Sequence, residues 1–215
     1  MEGIVYKVQS YQENSKLLFV YTCEGKITLI SKGSLTQNSN LRIVSQYLTL
    51  ISFEESNKKM YSLRNAELLN DFSKIKEDYQ LTKNAAVILE VLDKLIYENN
   101  NHLKIYEEAL GALNGDLNYT YLSFLIRILF YLGYAPNIKG DGKKIKGMNA
   151  QNGGIVYIDA LESADLNYDE TLCFLRLCSR EYADFEITEE TKGRLIYFIT
   201  KYYQYHLQIT LKTLQ

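Results

Sequence analysis

Tryptophan is absent from this chain of 215 residues, and proline occurs once, at Pro136. With one proline, the helices and strands must be punctuated by glycine, asparagine and aspartate instead. Cysteine is scarce. Cys23, Cys173 and Cys178 are an odd number without framework spacing, which excludes a disulfide scaffold and fits a reducing compartment. No stretch approaches the ~20 apolar residues needed to span a bilayer, and no signal-peptide pattern opens the chain, so a soluble cytoplasmic protein is expected. An excess of either charge is also lacking. Lysine and arginine number 24 against 26 acidic residues, a net charge of −2, so only the distribution of charge could point to nucleic acid.

Motifs for catalysis are missing as well. No GxSxG, HExxH or EF-hand pattern occurs. His102 and His206 lie far apart, with no neighbouring cysteine or histidine at ligand spacing, and read as surface or helix-end residues. Gly140–Gly147 superficially resembles a phosphate-binding loop, but Asn137 stands where the first glycine should be and Lys144 where Ser or Thr is required. Glu54-Glu55 and Glu189-Glu190 read as solvated turn and helix-start residues. The expectation is a protein that is not an enzyme and carries no cofactor.

What is present is a chain long enough to bury a sizeable core without staples. Its 19 tyrosines reflect either codon bias in an AT-rich genome or a stacking surface. The first residues carry three β-favouring runs, Gly3–Val8, Leu17–Thr22 and Lys26–Ile30, with Glu24-Gly25 as a tight turn. Polar Ser34–Arg42 follows as a loop. Ile43–Glu54 reads as a long strand and Met60–Leu69 as a fifth. Five crowded strands predict a small barrel of the OB-fold type. The fold class is therefore α+β, with an OB-fold domain over 1–77 and a mainly α-helical domain over 78–215.

The period changes beyond Asp71. Leu81, Ala85, Ile88, Leu89, Leu92 and Leu95 form the stripe of an amphipathic helix spanning Asp78–Glu98, ended by Asn99-Asn100-Asn101. Leu103–Leu113 is a second helix. Tyr119–Leu132 is apolar nearly all round and reads as a central helix, with Arg127 its only charge. Asp169–Tyr182 is a helix opened by an Asn167/Glu170 capping box, and Thr188 caps the last long helix, Thr188–Leu207. Between them, residues 137–154 form an irregular basic loop in which Lys139, Lys143, Lys144 and Lys146 face a single Asp141, and Gly154–Ile158 reads as a short strand.

An OB-type barrel can hold single strands through a cationic groove and aromatic stacking. Lys7, Lys16, Lys26, Lys32, Arg42 and Lys58 are the available cations, and Tyr6, Tyr11, Phe19, Tyr21, Tyr47 and Tyr61 the available rings. Gly25–Phe53 contains Lys26, Lys32 and Arg42 and no acid. The bland reading of the same residues is barrel filling and solubility.

Several short motifs then fall in a telling order. They are Glu2-Gly3-Ile4-Val5, Tyr11 to Leu17, Gly25-Lys26-Ile27 and Ser31-Lys32-Gly33, followed by Ala66-Glu67-Leu68, Phe72 and Lys76-Glu77-Asp78. Leu89 to Asp93, Arg127, Leu132-Gly133-Tyr134-Ala135-Pro136 and Tyr205-His206-Leu207 continue the series. In this order the chain resembles RecO, the recombination-mediator family of bacterial DNA repair, over nearly its whole length.

The resemblance implies binding of single- and double-stranded DNA and annealing of complementary strands. It also implies work with RecR, contact with the C-terminal tail of single-stranded DNA-binding protein, indirect help to RecA, and a nucleoid-associated location. Many relatives place two CxxC pairs after the Gly-Tyr-Ala-Pro segment as a zinc site. Asn137–Val156 has no cysteine, so no zinc is expected. Relatives often follow the Lys-Gly pair with a basic run, where this chain has only Arg42.

The resulting expectation gives DNA backbone contacts to Lys7, Lys16, Lys26, Lys32 and Arg42, with Lys143, Lys144 and Lys146 as a second patch. Arg127 either receives an acidic partner tail or pairs internally with Glu90 or Glu108. The alternative function is a protein-interaction scaffold with little DNA affinity of its own.

Overall fold

The computed structural model describes residues 1–36, 39–97, 101–179 and 186–214. Gln37-Asn38 of the expected loop, the Asn99-Asn100 helix break and the Arg180–Tyr182 helix end lie outside these residues. The chain divides into two compact units, Met1–Leu117 and Asn118–Gln215.

The first unit opens with the expected meander, each strand slightly longer than its apolar run. β1 (Glu2–Tyr11), β2 (Ser15–Thr22) and β3 (Gly25–Ser31) pair antiparallel in chain order. Gly25 at φ 116° makes the tight turn that an L side chain resists.

The segment expected to be one long strand, Ile43–Glu54, is a one-turn helix α1 (Leu41–Val44), an irregular stretch, and a short β4 (Leu50–Ser52). Tertiary hydrogen bonds override the local alternation here. Lys16 Nζ donates to the Ser45 carbonyl at 3.0 Å, and the Ser31 and Ser45 hydroxyls meet at 2.6 Å in a buried contact. Leu48, at φ 55°, then turns the chain so that its N–H reaches the Val5 carbonyl. Leu48, Thr49, Leu50 and Ile51 are consequently buried in succession rather than alternately.

Met60–Leu69 likewise divides at Asn65, φ 47°, into β5 (Met60–Ser62), parallel to β3, and β6 (Glu67–Asn70), antiparallel to β4. The sheet has six strands in the order β5-β3-β2-β1-β4-β6. Among the described residues it is not closed strand to strand. One backbone bond, Glu54 N–H to the Arg64 carbonyl at 3.0 Å, joins the chain beyond β4 to the chain beyond β5. The sheet wraps a core of Val5, Leu18, Val20, Leu29, Val44, Ile51, Phe53 and Leu63.

After a short α2 (Ser73–Lys76), the unit continues with α3 (Tyr79–Lys94) and α4 (His102–Asn114), which pack on β1 and β2 respectively. Asp78 caps α3 by accepting from Leu81 N–H at 2.9 Å, as its position before the apolar stripe requires. His102 is not a loose surface residue. Its Nδ1 lies 3.1 Å from the Tyr21 hydroxyl, and burial lowers its pKa.

In the second unit α5 (Leu117–Leu132) is the central helix that its composition predicts, with Leu122, Leu125, Ile126 and Ile128 fully buried. β7 (Ile145–Asn149) and β8 (Gly154–Tyr157) form a hairpin, so the second half of the basic stretch is ordered strand. α6 (Tyr168–Ser179) starts with the predicted capping box: Asn167 N–H donates to Glu170 Oε2 at 2.8 Å, and Glu170 N–H to Asn167 Oδ1 at 2.9 Å. α7 (Glu189–Tyr202) is capped by Thr188 and runs on as a π-helical turn, Tyr203–Leu207. Phe174 of α6 meets Phe198 of α7 edge to face at 5.5 Å. His206 stacks on Tyr202 at 4.2 Å and bonds the Ala150 carbonyl at 2.8 Å, tying the hairpin turn to the helix end.

The hairpin is locked a second time by paired bonds between Met148 and Leu166, at 3.0 and 3.1 Å. Gly147 lies directly against that junction, where a Cβ would stand 1.8 Å from the Leu166 carbonyl oxygen. Gly147→Ala is therefore expected to destabilise the protein by at least the ~1–3 kcal/mol of a typical overpacking substitution. Denaturant unfolding of wild type and variant measures this. Equal midpoints would mean that the hairpin does not approach Leu166 so closely.

Candidate nucleic-acid interface

A cation can serve a polyanion only if it is exposed and not already committed to a bond within the fold. The predicted contacts divide on this criterion. Lys26, on β3, donates to the backbone carbonyl of Asp93 at 2.6 Å and so caps the C-terminal turn of α3, where orphan carbonyls and the helix dipole favour a cation. Burial holds its pKa below the usual lysine value, against the opposing effect of Asp93. Lys7, on β1, reaches the carboxylate of the same residue at 3.2 Å. Lys16 is spent on the Ser45 carbonyl.

Lys32, in the turn after β3, and Arg42, on α1, are exposed, and no side-chain partner is described for either. The buried Ser31–Ser45 contact joins the residue before Lys32 to the C-cap of α1, the helix that carries Arg42. Tyr47, 40% exposed, follows Ser45 by two residues, and exposed Ile43 precedes it by two on α1. The other candidate rings are less open. Tyr6 and Tyr21 are buried, and Tyr11, Phe19 and Tyr61 are half-buried.

The second patch belongs to the other unit and is partly neutralised. Lys143 lies 3.8 Å from Asp141 and 3.7 Å from Asp159. The Lys143 backbone N–H bonds the Asp141 carboxylate and holds its pKa below the ordinary value. Lys146 donates to the Glu162 carbonyl at 2.9 Å. Lys144 is exposed, with no described side-chain partner. Arg127, on α5, donates to the Cys178 carbonyl at 2.8 Å, at the C-terminal turn of α6. Sequence reasoning missed Asp93, which stands 86 residues from Lys7 and 67 from Lys26 and carries no local signal of either contact.

Family comparison decides the lineage. The family model described as Recombination protein O N terminal matches residues 1–72, and that described as Recombination protein O C terminal matches residues 76–215. The chain belongs to the RecO family. Proteins named DNA repair protein RecO are similar to it. That of Exiguobacterium sibiricum is 28% identical over 146 residues, 65% of this chain and 59% of the relative. That of Listeria monocytogenes is 32% identical over 138 residues, 63% and 53%. That of Caldicellulosiruptor saccharolyticus is 28% identical over 178 residues, 77% and 73%. The matches thus span between about half and three quarters of these relatives.

Two further facts bear on chemistry. Among the described residues, no group of three or more His, Cys, Asp or Glu side chains is gathered as a metal site would need. Among them also, no helix is long and apolar enough to cross a membrane.

Committed and open cations of this RecO-family chain should respond differently to truncation. Lys26→Ala is expected to cost about 1 kcal/mol of stability, the loss of a charge-assisted bond in a half-buried setting. Lys32→Ala should stay within about 0.5 kcal/mol of wild type, as for an exposed surface residue. Thermal or denaturant unfolding compares the two, and an equal effect of both substitutions would contradict the division.

Proposed function

We propose that this chain is a non-enzymatic DNA repair and recombination mediator. It binds single- and double-stranded DNA, promotes annealing of complementary strands, and works with RecR and single-stranded DNA-binding protein to help load the recombinase. The names of its relatives, DNA repair protein RecO, support the repair role. The observation that carries DNA binding is that exposed Lys32, Arg42 and Tyr47 each lie within three residues of Ser31 or Ser45, the two ends of one buried contact, in a segment free of acids from Gly25 to Phe53. Such a surface offers phosphate contacts and a base-stacking ring together.

Lys7, Lys16 and Lys26 contribute field rather than open ammonium groups, and Lys143, Lys144 and Lys146 form the second patch, with Lys144 its most available member. Arg127 is the proposed contact for an acidic partner tail. Its support is that it is the sole charge of α5 and sits half-buried beside the end of α6.

A second reading is favoured by a specific observation. Lys7, Lys16, Lys26, Lys143 and Lys146 already have internal partners, which suits an interaction scaffold with little DNA affinity. Salt titration separates the two. Single-strand binding through Z phosphates should give log K against log salt a slope of about −0.7Z. Lys32→Glu with Arg42→Glu should weaken binding at least ~10-fold and flatten the slope by more than one unit of log K per log salt. A flat wild-type plot would favour the scaffold.

The partner contact is tested in parallel. Arg127→Ala should weaken binding of a tail peptide from single-stranded DNA-binding protein by roughly 10-fold, the loss of a charge-assisted bond. Unchanged peptide binding would remove Arg127 from the interface.

A further inference from the structure

Two lysines from neighbouring parts of the sheet converge on a single residue of α3. Lys7 Nζ lies 3.2 Å from the Asp93 carboxylate, with side chains 49% and 35% exposed. Lys26 Nζ bonds the Asp93 backbone carbonyl at 2.6 Å. Two rings lie beneath them. Phe19 is 5.3 Å from the Lys7 ammonium, Tyr6 is 5.8 Å from the Lys26 ammonium, and the rings are 6.3 Å apart. The assembly is a pair of cations held over aromatic faces, with one carboxylate against it.

The two contacts differ in kind. The Lys26 bond satisfies a helix-end carbonyl and does not involve the Asp93 side chain. The Lys7–Asp93 pair is solvent-accessible, and such pairs contribute little to stability and exchange readily with other anions. The carboxylate therefore does little for the fold, yet it occupies an anion position beside the Lys7 ammonium.

We propose that the Asp93 carboxylate stands in for a nucleic-acid phosphate at Lys7 and restrains DNA binding by the N-terminal unit. A strand that engages Lys7 must displace this carboxylate and then bear its repulsion. The residue thereby sets the affinity of the sheet surface for polyanions. The inference rests on the DNA-binding reading above.

Asp93→Asn tests it, because the amide keeps the shape and the backbone carbonyl while removing the charge. The probe is a labelled oligothymidylate longer than the ~4–16 nucleotides of one OB-type site, titrated at several salt concentrations with the full chain. The expected result is a ~2–5-fold tighter complex at low salt, the range that follows from the strength of an exposed pair. The salt plot should also steepen by about 0.7, for one added phosphate contact. In a Lys7→Ala background, Asp93→Asn should bring no gain.

Unchanged or weaker binding by a variant with wild-type thermal stability overturns the inference, as does a gain that persists without Lys7. If Asp93→Asn unfolds, Asp93→Ser and Lys7→Ala/Asp93→Ser give the same comparison. A wild-type salt plot without slope overturns the DNA-binding reading instead, which keeps the two failures distinct.

Discussion

Backbone carbonyls left without partners at helix ends and turns set the terms for this molecule. Each such group must find a donor, and beside the hydroxyls and amides that serve many of them stand five lysine and arginine side chains. Lys26 serves the last turn of α3, Lys16 the carbonyl after α1, and Arg127 the last turn of α6. Lys146 serves Glu162, and Arg194 the carbonyl of Asp165. Leaving a buried polar group unpaired costs more than a surface charge gains in water, so the fold claims these side chains first. Long cationic side chains reach across the structure to serve these carbonyls, beside the glycine and asparagine that end helices in a chain with a single proline.

The same demand redistributes function. A tally of lysines by segment treats every ammonium as available to a phosphate, whereas of the eight predicted contacts the fold leaves Lys32, Arg42 and Lys144 exposed without a described side-chain partner. Lys32 and Arg42 flank the two ends of the buried Ser31–Ser45 contact. That contact exists because Lys16 and two hydroxyls bury the chain where a continuous strand seemed natural. The irregular stretch thus presents exposed Arg42, Ile43 and Tyr47 on the first unit.

The histidines and tyrosines follow the same logic. His102 and His206 each bond a specific partner, Tyr21 and the Ala150 carbonyl. Tyr202 and Tyr203 place their hydroxyls on the carbonyls of Tyr134 and Leu125 at 3.0 and 2.7 Å. A tyrosine-rich composition therefore supplies core-filling rings, some with polar tips that satisfy buried backbone, while Tyr47, Tyr79, Tyr97, Tyr134, Tyr168, Tyr197 and Tyr205 stand exposed.

Sequence by itself determined what depends on neighbours in the chain. The meander, the α3 cap at Asp78, the Asn167/Glu170 box, the Thr188 cap and the all-apolar α5 each rest on residues within about one turn or one pleat. Family membership was legible too, because it lies in the order of short motifs. Tertiary structure decided the rest. It broke Ile43–Glu54 and Met60–Leu69 at Leu48 and Asn65, positions whose positive φ no local pattern announces. It also chose which cations remain open, because Lys7 and Lys26 meet Asp93 only once α3 lies on the sheet. Contacts between residues that distant cost loop entropy and are fixed by packing, which a sequence read along its length does not contain.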